Sequence, residues 1–149
     1  MKINLTINDE NKTFDIDPSM TLLEVLRENG YMSVKQGCDT GTCGLCTVLM
    51  DDKPILSCSI LAAKADGHFI KTLEGIGDEA AKIGELLAQE GADQCGFCSP
   101  GLIINVYAMK KTLKNPSEEE INKFLVGNLC RCTGYLGQTR AIKKYLGGE

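Results

Sequence analysis

Eight cysteines are the residues of this chain best suited to chemistry, and their spacing divides them into two groups of four. The first group has the spacing C-x4-C-x2-C-x11-C, and the second has the spacing C-x2-C-x31-C-x1-C. Four thiolates can hold a zinc ion or an iron–sulfur cluster. The members of the first group are Cys38, Cys43, Cys46 and Cys58. The members of the second group are Cys95, Cys98, Cys130 and Cys132.

The first group matches the spacing of plant-type [2Fe-2S] ferredoxins, in which one short loop supplies three ligands and a distant cysteine supplies the fourth. Three ligands so close together require tight turns, and Gly37, Gly41 and Gly44 permit the positive φ angles that such turns need. Structural zinc sites usually pair their ligands as two short knuckles, which this loop does not resemble. The spacing therefore favours a [2Fe-2S] cluster over zinc.

The second group consists of two close pairs, and its spacing alone leaves an iron–sulfur cluster, zinc and a redox dithiol open. Cys95 and Cys98 precede Ser99-Pro100, which is a typical start of a helix. The partial positive charge of a helix N-terminus favours an anionic thiolate site. A redox C-x-x-C motif does not need the second pair, Cys130 and Cys132. The presence of that pair therefore argues for a four-thiolate site.

Composition limits the classes of function. The chain has 149 residues and a net charge of −4, so electrostatics gives no reason to expect nucleic-acid binding. No apolar run approaches the ~20 residues of a membrane span, and the alternating start of the sequence lacks the core of a signal peptide. These features predict a cytoplasmic protein. Cysteines in a reducing compartment more commonly bind metal than form disulfides.

The first half of the chain is predicted to be rich in strands. Apolar and polar residues alternate over 3–7 and 14–16, which indicates a hairpin. A helix is expected to begin at Thr21, with Glu24 completing a capping box, and to stop at Gly30. Further strands are expected over 46–50, 54–58 and 69–72, with a loop over 37–44.

The second half of the chain has helical periodicity. The expected helices cover 78–90, 99–113, 117–126 and 138–146, and the composition changes near 74–78. We therefore expect two domains, residues 1–75 and residues 76–149.

His68 follows a turn signal and is expected to be exposed. Tyr135 could pack at a cofactor or in the helical core, and the core is favoured. The sequence contains no Ser-His-Asp set and no phosphate-binding loop, which fits an electron relay.

Three segments resemble the iron–sulfur subunit of the molybdenum hydroxylases, the family of xanthine dehydrogenase and aldehyde oxidoreductase. They are GCDTGTCGLCTV at 37–48, QCGFCSPG at 94–101 and GNLCRCTGY at 127–135. The resemblance implies an α+β fold, with an N-terminal β-grasp ferredoxin domain followed by a small four-helix-bundle domain, each holding one [2Fe-2S] cluster. One departure from the family is Gln138, where an apolar residue is common.

The resemblance also implies a path for electrons. They would leave a molybdopterin centre on a large partner subunit, pass the helical-domain cluster and then the ferredoxin-domain cluster, and reach FAD on another subunit. Gln94 and Cys132 occupy the motif positions that contact the pterin, whose form in bacterial members is the cytosine dinucleotide. The implied assembly is a hetero-oligomer, such as a dimer of heterotrimers. The implied substrates are N-heterocycles, such as xanthine or nicotinate, and aldehydes.

Two other functions are compatible with the cysteine pattern. A zinc-stabilised adaptor would use the same eight thiolates around two metal ions, and it would be colourless. A free-standing ferredoxin would carry clusters but would have no pterin to contact, so the match at Gln94 and Cys132 speaks against it.

Overall fold

The computed structural model describes residues 1–147 and contains five strands and five α-helices. The predicted α+β arrangement is confirmed, because strands dominate the first half and helices fill the second. The strands are β1 (Lys2–Ile7), β2 (Glu10–Asp15), β3 (Thr47–Met50), β4 (Lys53–Leu56) and β5 (Phe69–Lys71). The helices are α1 (Leu22–Glu28), α2 (Gly77–Gln89), α3 (Ser99–Thr112), α4 (Glu118–Phe124) and α5 (Leu136–Tyr145).

The strands form one mixed sheet in the order β2-β1-β5-β3-β4. The β1 and β2 strands make the expected hairpin, with Ile3 opposite Phe14, and β3 pairs with β4 in the same way. The central strand β5 runs parallel to β1 and antiparallel to β3. Ile3, Leu5 and Ile7 face the interior, because alternate side chains of a strand point to the same side of the sheet.

Helix α1 covers the inner face of the sheet. Its N-terminus has the predicted capping box, in which the Thr21 hydroxyl accepts from the Glu24 backbone N–H and the Glu24 carboxylate accepts from the Thr21 backbone N–H. Leu22, Val25 and Leu26 are buried against the sheet. The loop that contains the first three cysteines follows this helix, so α1 and β3 together hold both ends of the loop.

The helices of the second half begin and end close to the predicted positions. Ser117 and Glu120 form the predicted capping box of α4, and Pro100 lies in the first turn of α3. Helix α4 is shorter than expected, because it ends at Phe124 and leaves Val126 exposed. Helix α5 begins two residues earlier than expected, at Leu136, and α3 is the most deeply buried of the four.

The two halves pack on opposite faces of strand β3. Val48 belongs to the apolar core of the sheet and α1, whereas its neighbour Leu49 belongs to the core of the helical half. Helix α3 lies directly against β3. Because adjacent strand residues point to opposite faces, one short strand contributes to both cores and fixes the halves relative to each other.

Candidate metal centres

The first cysteine group lies in the loop between α1 and β3 and in the turn after β4. Cys43 and Cys46 are buried, whereas Cys38 and Cys58 are partly exposed. Cys58 lies in a short 3₁₀ turn, Ser57–Ser59, and not in the strand that the sequence predicted. The turn forms because Ser57 uses both its backbone N–H and its hydroxyl to donate to the Cys46 carbonyl, which ends the β ladder. This bond brings Cys58 back beside the loop.

The eight thiols lie in adjacent pairs. Cys38 neighbours Cys43, and Cys46 neighbours Cys58. In the second group, Cys98 neighbours Cys130 and Cys95 neighbours Cys132. Within residues 1–147, no three Cys, His, Asp or Glu side chains converge closely enough to hold a single metal ion. Two pairs for each group match a two-iron cluster, in which four cysteines are divided between two irons.

The backbone around Cys38 favours a thiolate. The N–H groups of Thr40, Cys43 and Thr42 donate to its sulfur, and they lower the pKa of the Cys38 thiol to about 5. Burial acts in the opposite direction at Cys46 and raises the pKa of that thiol to about 11. A metal cation would offset this penalty, because coordination deprotonates a thiol. The first group therefore combines an exposed thiolate site with a buried one.

The second cysteine group combines the start of one helix with the connection between two others. Cys98 is the N-cap residue of α3, so Cys95 and Cys98 lie at the N-terminus of that helix as predicted. Cys130 and Cys132 lie in the connection between α4 and α5. Cys95 and Cys132 are exposed, whereas Cys98 and Cys130 are partly buried. The group thus has an inner pair and an outer pair.

Burial and hydrogen bonds act differently on the inner pair. Burial raises the pKa of the Cys98 thiol to about 12. Burial also opposes ionisation of Cys130, but hydrogen bonds from Thr133 outweigh it and lower the pKa of that thiol. The Thr133 hydroxyl donates to the Cys130 sulfur at 3.2 Å, and Gln138 Nε2 lies 3.9 Å from the Cys98 sulfur. The sequence marks Gln138 only as a departure from the family and gives no sign that either side chain donates to sulfur.

Tyr135 corrects one expectation. The sequence favoured a position in the helical core, but Tyr135 is 43 % exposed and has a left-handed backbone at the start of α5. Its hydroxyl oxygen accepts the Cys130 backbone N–H at 3.0 Å. Tyr135 therefore supports the second cysteine group from the surface. His68 was expected to be exposed but is only partly exposed, and its Nδ1 lies 2.6 Å from Asp51 Oδ2.

A seam of backbone and amide groups joins the two cysteine groups. The Cys43 carbonyl accepts the Leu129 N–H at 2.9 Å, and Leu129 immediately precedes Cys130. The Asn128 amide donates to the Gly44 carbonyl at 3.3 Å, and the Asn105 amide of α3 donates to Asn128. Both Asn side chains are buried, so these bonds avoid unpaired polar groups. One cleft is lined by thiols from both groups.

Close backbone packing at the seam requires glycine at two positions. Gly44 has φ +73°, and a Cβ atom there would lie 2.1 Å from the Gly127 carbonyl oxygen. A Cβ atom on Gly101 would lie 2.5 Å from the Gly44 carbonyl oxygen. The predicted pterin contact Gln94 is exposed and directly precedes the exposed Cys95 in the chain. The paired thiols, the N–H groups aimed at sulfur and the close loops all fit two [2Fe-2S] clusters.

Known proteins agree with this arrangement. Residues 5–69 match the family of 2Fe-2S iron-sulfur cluster binding domains, and residues 72–143 match a [2Fe-2S] binding domain. The chain is 40 % identical to the nicotinate dehydrogenase small FeS subunit of Eubacterium barkeri, over 95 % of this chain and 92 % of the relative. It is 49 % identical to the xanthine dehydrogenase iron-sulfur-binding subunit of Escherichia coli O157:H7, over 89 % and 86 %. The chain belongs to the iron–sulfur subunits of the molybdenum hydroxylases.

A solved structure supports the same assignment. Quinoline 2-oxidoreductase from Pseudomonas putida 86 contains a chain with a TM-score of 0.90 to this one and 37 % identity, covering 98 % of this chain and 93 % of that chain. This iron–sulfur subunit therefore has two [2Fe-2S]-binding domains, a ferredoxin-like one followed by a helical one. Within residues 1–147, none of its helices has the length and apolar character needed to cross a membrane.

Proposed function

We propose that each cysteine group ligates one [2Fe-2S] cluster and that the chain relays electrons from a molybdopterin centre toward FAD. The observation that carries this proposal is the pairing of the eight thiols into four adjacent couples. Cys38, Cys43, Cys46 and Cys58 would hold the cluster of the ferredoxin domain. Cys95, Cys98, Cys130 and Cys132 would hold the cluster of the helical domain.

Each cluster, when bound, supplies a centre that accepts and releases one electron. The protein provides the rest. The backbone N–H groups around Cys38 stabilise negative charge at the first group, and Thr133 does so at the second. A backbone hydrogen bond joins Cys43 of the first group to Leu129, the residue that precedes Cys130 of the second group. This bond holds the two groups at a fixed separation. A fixed separation keeps the rate of electron transfer between the groups constant.

The exposed surfaces of the chain support a direction for this electron transfer. The outer pair Cys95 and Cys132 is exposed, and Gln94 lies beside it, which supports pterin contact by Gln94 and Cys132. Five exposed apolar side chains surround this region and form what we call the apolar docking face. They are Phe97, Val126, Leu129, Tyr135 and Leu136. We assign this face to the molybdopterin-binding subunit, since its apolar and aromatic side chains are typical of interface cores.

The flavin-binding subunit would dock at the opposite group. Cys38 and Cys58 line a shallow depression with Gln36 and Asp39, and both cysteines are partly exposed. At this edge two of the proposed ligands reach the surface of the ferredoxin domain. The assembly would be a hetero-oligomer in the cytoplasm, such as a dimer of heterotrimers, with a molybdopterin cytosine dinucleotide on the large subunit. We place the domain boundary at residue 75, between β5 and α2.

The substrate class is inferred from the relatives. The two relatives described above act on nicotinate and xanthine, as their names state, and the solved structure belongs to a quinoline oxidoreductase. All three substrates are N-heterocycles. We therefore propose an N-heterocycle, with a purine or nicotinate ahead of an aldehyde, as the substrate of the whole enzyme.

Metal analysis of the natively purified complex tests this function. We expect four irons and four acid-labile sulfides for each copy of this chain, together with stable co-elution of two larger subunits. After reduction, two paramagnetic signals should appear. A colourless preparation with two zinc ions per chain would contradict the proposal and favour the zinc adaptor. Elution as a lone coloured protein would instead favour a free-standing ferredoxin.

A further inference from the structure

Gln138 is a polar side chain that is almost completely buried. It lies in the first turn of α5 and is only 4 % exposed, and Leu102, Ala141 and Ile142 nearby are also buried. A buried amide costs free energy unless its polar atoms find partners. An apolar residue would fill this position without that cost. The hydrogen-bond partner of the Gln138 amide therefore indicates what this residue does.

That partner is the sulfur of Cys98. The Gln138 Nε2 lies 3.9 Å from Cys98 Sγ, a hydrogen-bond distance for the large sulfur atom. A thiolate is a stronger acceptor than a thiol, since hydrogen bonds to charged groups are roughly twice as strong as neutral ones. Cys98 is partly buried, so water competes less for its sulfur than for the sulfurs of the exposed Cys95 and Cys132. The contact becomes stronger when Cys98 carries negative charge.

From this contact we infer that Gln138 raises the reduction potential of the helical-domain cluster. Reduction adds negative charge to a cluster and its thiolates, and hydrogen-bond donors to sulfur stabilise that charge. Gln138 acts through Cys98, so it is a positioning residue and not a ligand. The inference rests on the ligand assignment proposed above.

A second donor acts on the neighbouring sulfur. The Thr133 hydroxyl donates to Cys130 at 3.2 Å, and Cys130 lies beside Cys98 in the inner pair. The outer pair is exposed to solvent. Both side-chain donors therefore act on the less solvated pair, where a hydrogen bond changes the electrostatic energy most. Removal of either donor should shift the same cluster in the same direction.

Redox titration followed by EPR tests the inference in the assembled enzyme. Gln138→Met keeps the length of the side chain and removes the N–H donor. We expect a roughly tenfold shift of the one-electron equilibrium toward the oxidised cluster, which is a fall of about 59 mV. Only the signal of the helical-domain cluster should move. Gln89→Met makes the same substitution on the exposed surface of α2 and should move neither signal.

Two further variants keep the inference testable if Gln138→Met does not assemble. Gln138→Leu removes the donor with a different shape, so it replaces Gln138→Met if that variant does not assemble. Thr133→Val should lower the same potential. Midpoints equal to those of the wild type in both Gln138 variants, or an equal shift of both signals, would overturn the inference. Absence of a cluster from the wild type would instead contradict the ligand assignment, so the two failures are distinguishable.

Discussion

At the scale of single residues, Glu74 forms hydrogen bonds that link the end of the ferredoxin domain to Ser33, in the segment between α1 and the cysteine loop. Its carboxylate accepts the Ser33 hydroxyl at 2.6 Å and the Ser33 N–H at 3.2 Å, and it also accepts the Thr72 hydroxyl. Partial burial opposes ionisation, but the bonds from Ser33 and Thr72 outweigh it and lower the pKa of Glu74. The charged form is therefore the one that stabilises the fold.

This shift predicts a pH-dependent contribution to stability. Because the folded-state pKa of Glu74 is depressed, its contribution is present above the unfolded pKa of about 4.3 and is lost as the pH falls through the folded value. We expect Glu74→Gln to lower the free energy of unfolding by about 1 kcal/mol at pH 7, since the group is exposed enough for solvent to weaken its bonds.

Urea unfolding at several pH values measures this effect. The stability gap between the wild type and Glu74→Gln should narrow as the pH falls below about 4. Glu28→Gln, the same substitution at the end of α1, should show no such gap. A gap that stays constant down to pH 3 would rule out an ionised Glu74 as its source.

The sequence indicated which cysteines lie near one another, but it gave no sign of the residues that contact their sulfurs. Spacing along the chain groups the cysteines, because the first three of them lie within one short loop. Gln138 and Tyr135 support the second group from α5 and its start, 40 and 5 residues from the atoms that they contact. These contacts depend on how α5 packs against the second cysteine group. The spacing of residues along the chain does not determine that packing.

At the scale of elements, helix α3 approaches the cysteine loop so closely that only glycine fits at the contact. A Cβ atom on Gly101 would lie 2.5 Å from the Gly44 carbonyl oxygen, whereas a Cβ atom on Gly84 of α2 would meet no atom within 4 Å. Alanine is favoured over glycine in a helix by about 1 kcal/mol at both positions. Overpacking at Gly101 costs roughly 1–3 kcal/mol and opposes that gain.

Thermal unfolding of two matched variants tests this contact. Gly84→Ala should raise the unfolding midpoint, because it gains helix propensity without a clash. Gly101→Ala should lower it, because the clash falls on backbone atoms that cannot move aside. An equal rise of the unfolding midpoint in both variants would show that α3 does not pack tightly against the cysteine loop at Gly101.

Helix and strand positions were predicted well where local signals exist. The capping boxes at Thr21 and Ser117 correctly marked the starts of α1 and α4. The strand predicted over 54–58 was too long, because a long-range bond from Ser57 to the Cys46 carbonyl turns the chain before Cys58. Helix α4 also ends earlier than predicted, at Phe124. The non-helical chain after it lets the Asn128 amide donate to the Gly44 carbonyl in the seam.

At the scale of the whole molecule, the proposed apolar docking face would give electron transfer through the chain a direction. Leu136 is 62 % exposed on this face, and Met32, at another part of the surface, is 50 % exposed. We expect Leu136→Glu to weaken co-elution with the molybdopterin-binding subunit at least tenfold, because a charge in an interface core costs a large fraction of the binding free energy. Met32→Glu should leave co-elution unchanged. Equal retention of both variants would place the large subunit elsewhere.

We propose that two separate sets of four cysteines hold two [2Fe-2S] clusters. EPR spectra of the reduced enzyme, recorded for Cys43→Ser and Cys98→Ser beside the wild type, test it most directly. We expect two signals in the wild type, damage to one of them in Cys43→Ser and damage to the other in Cys98→Ser. Loss of the same signal in both variants, or survival of both signals unchanged, would contradict it.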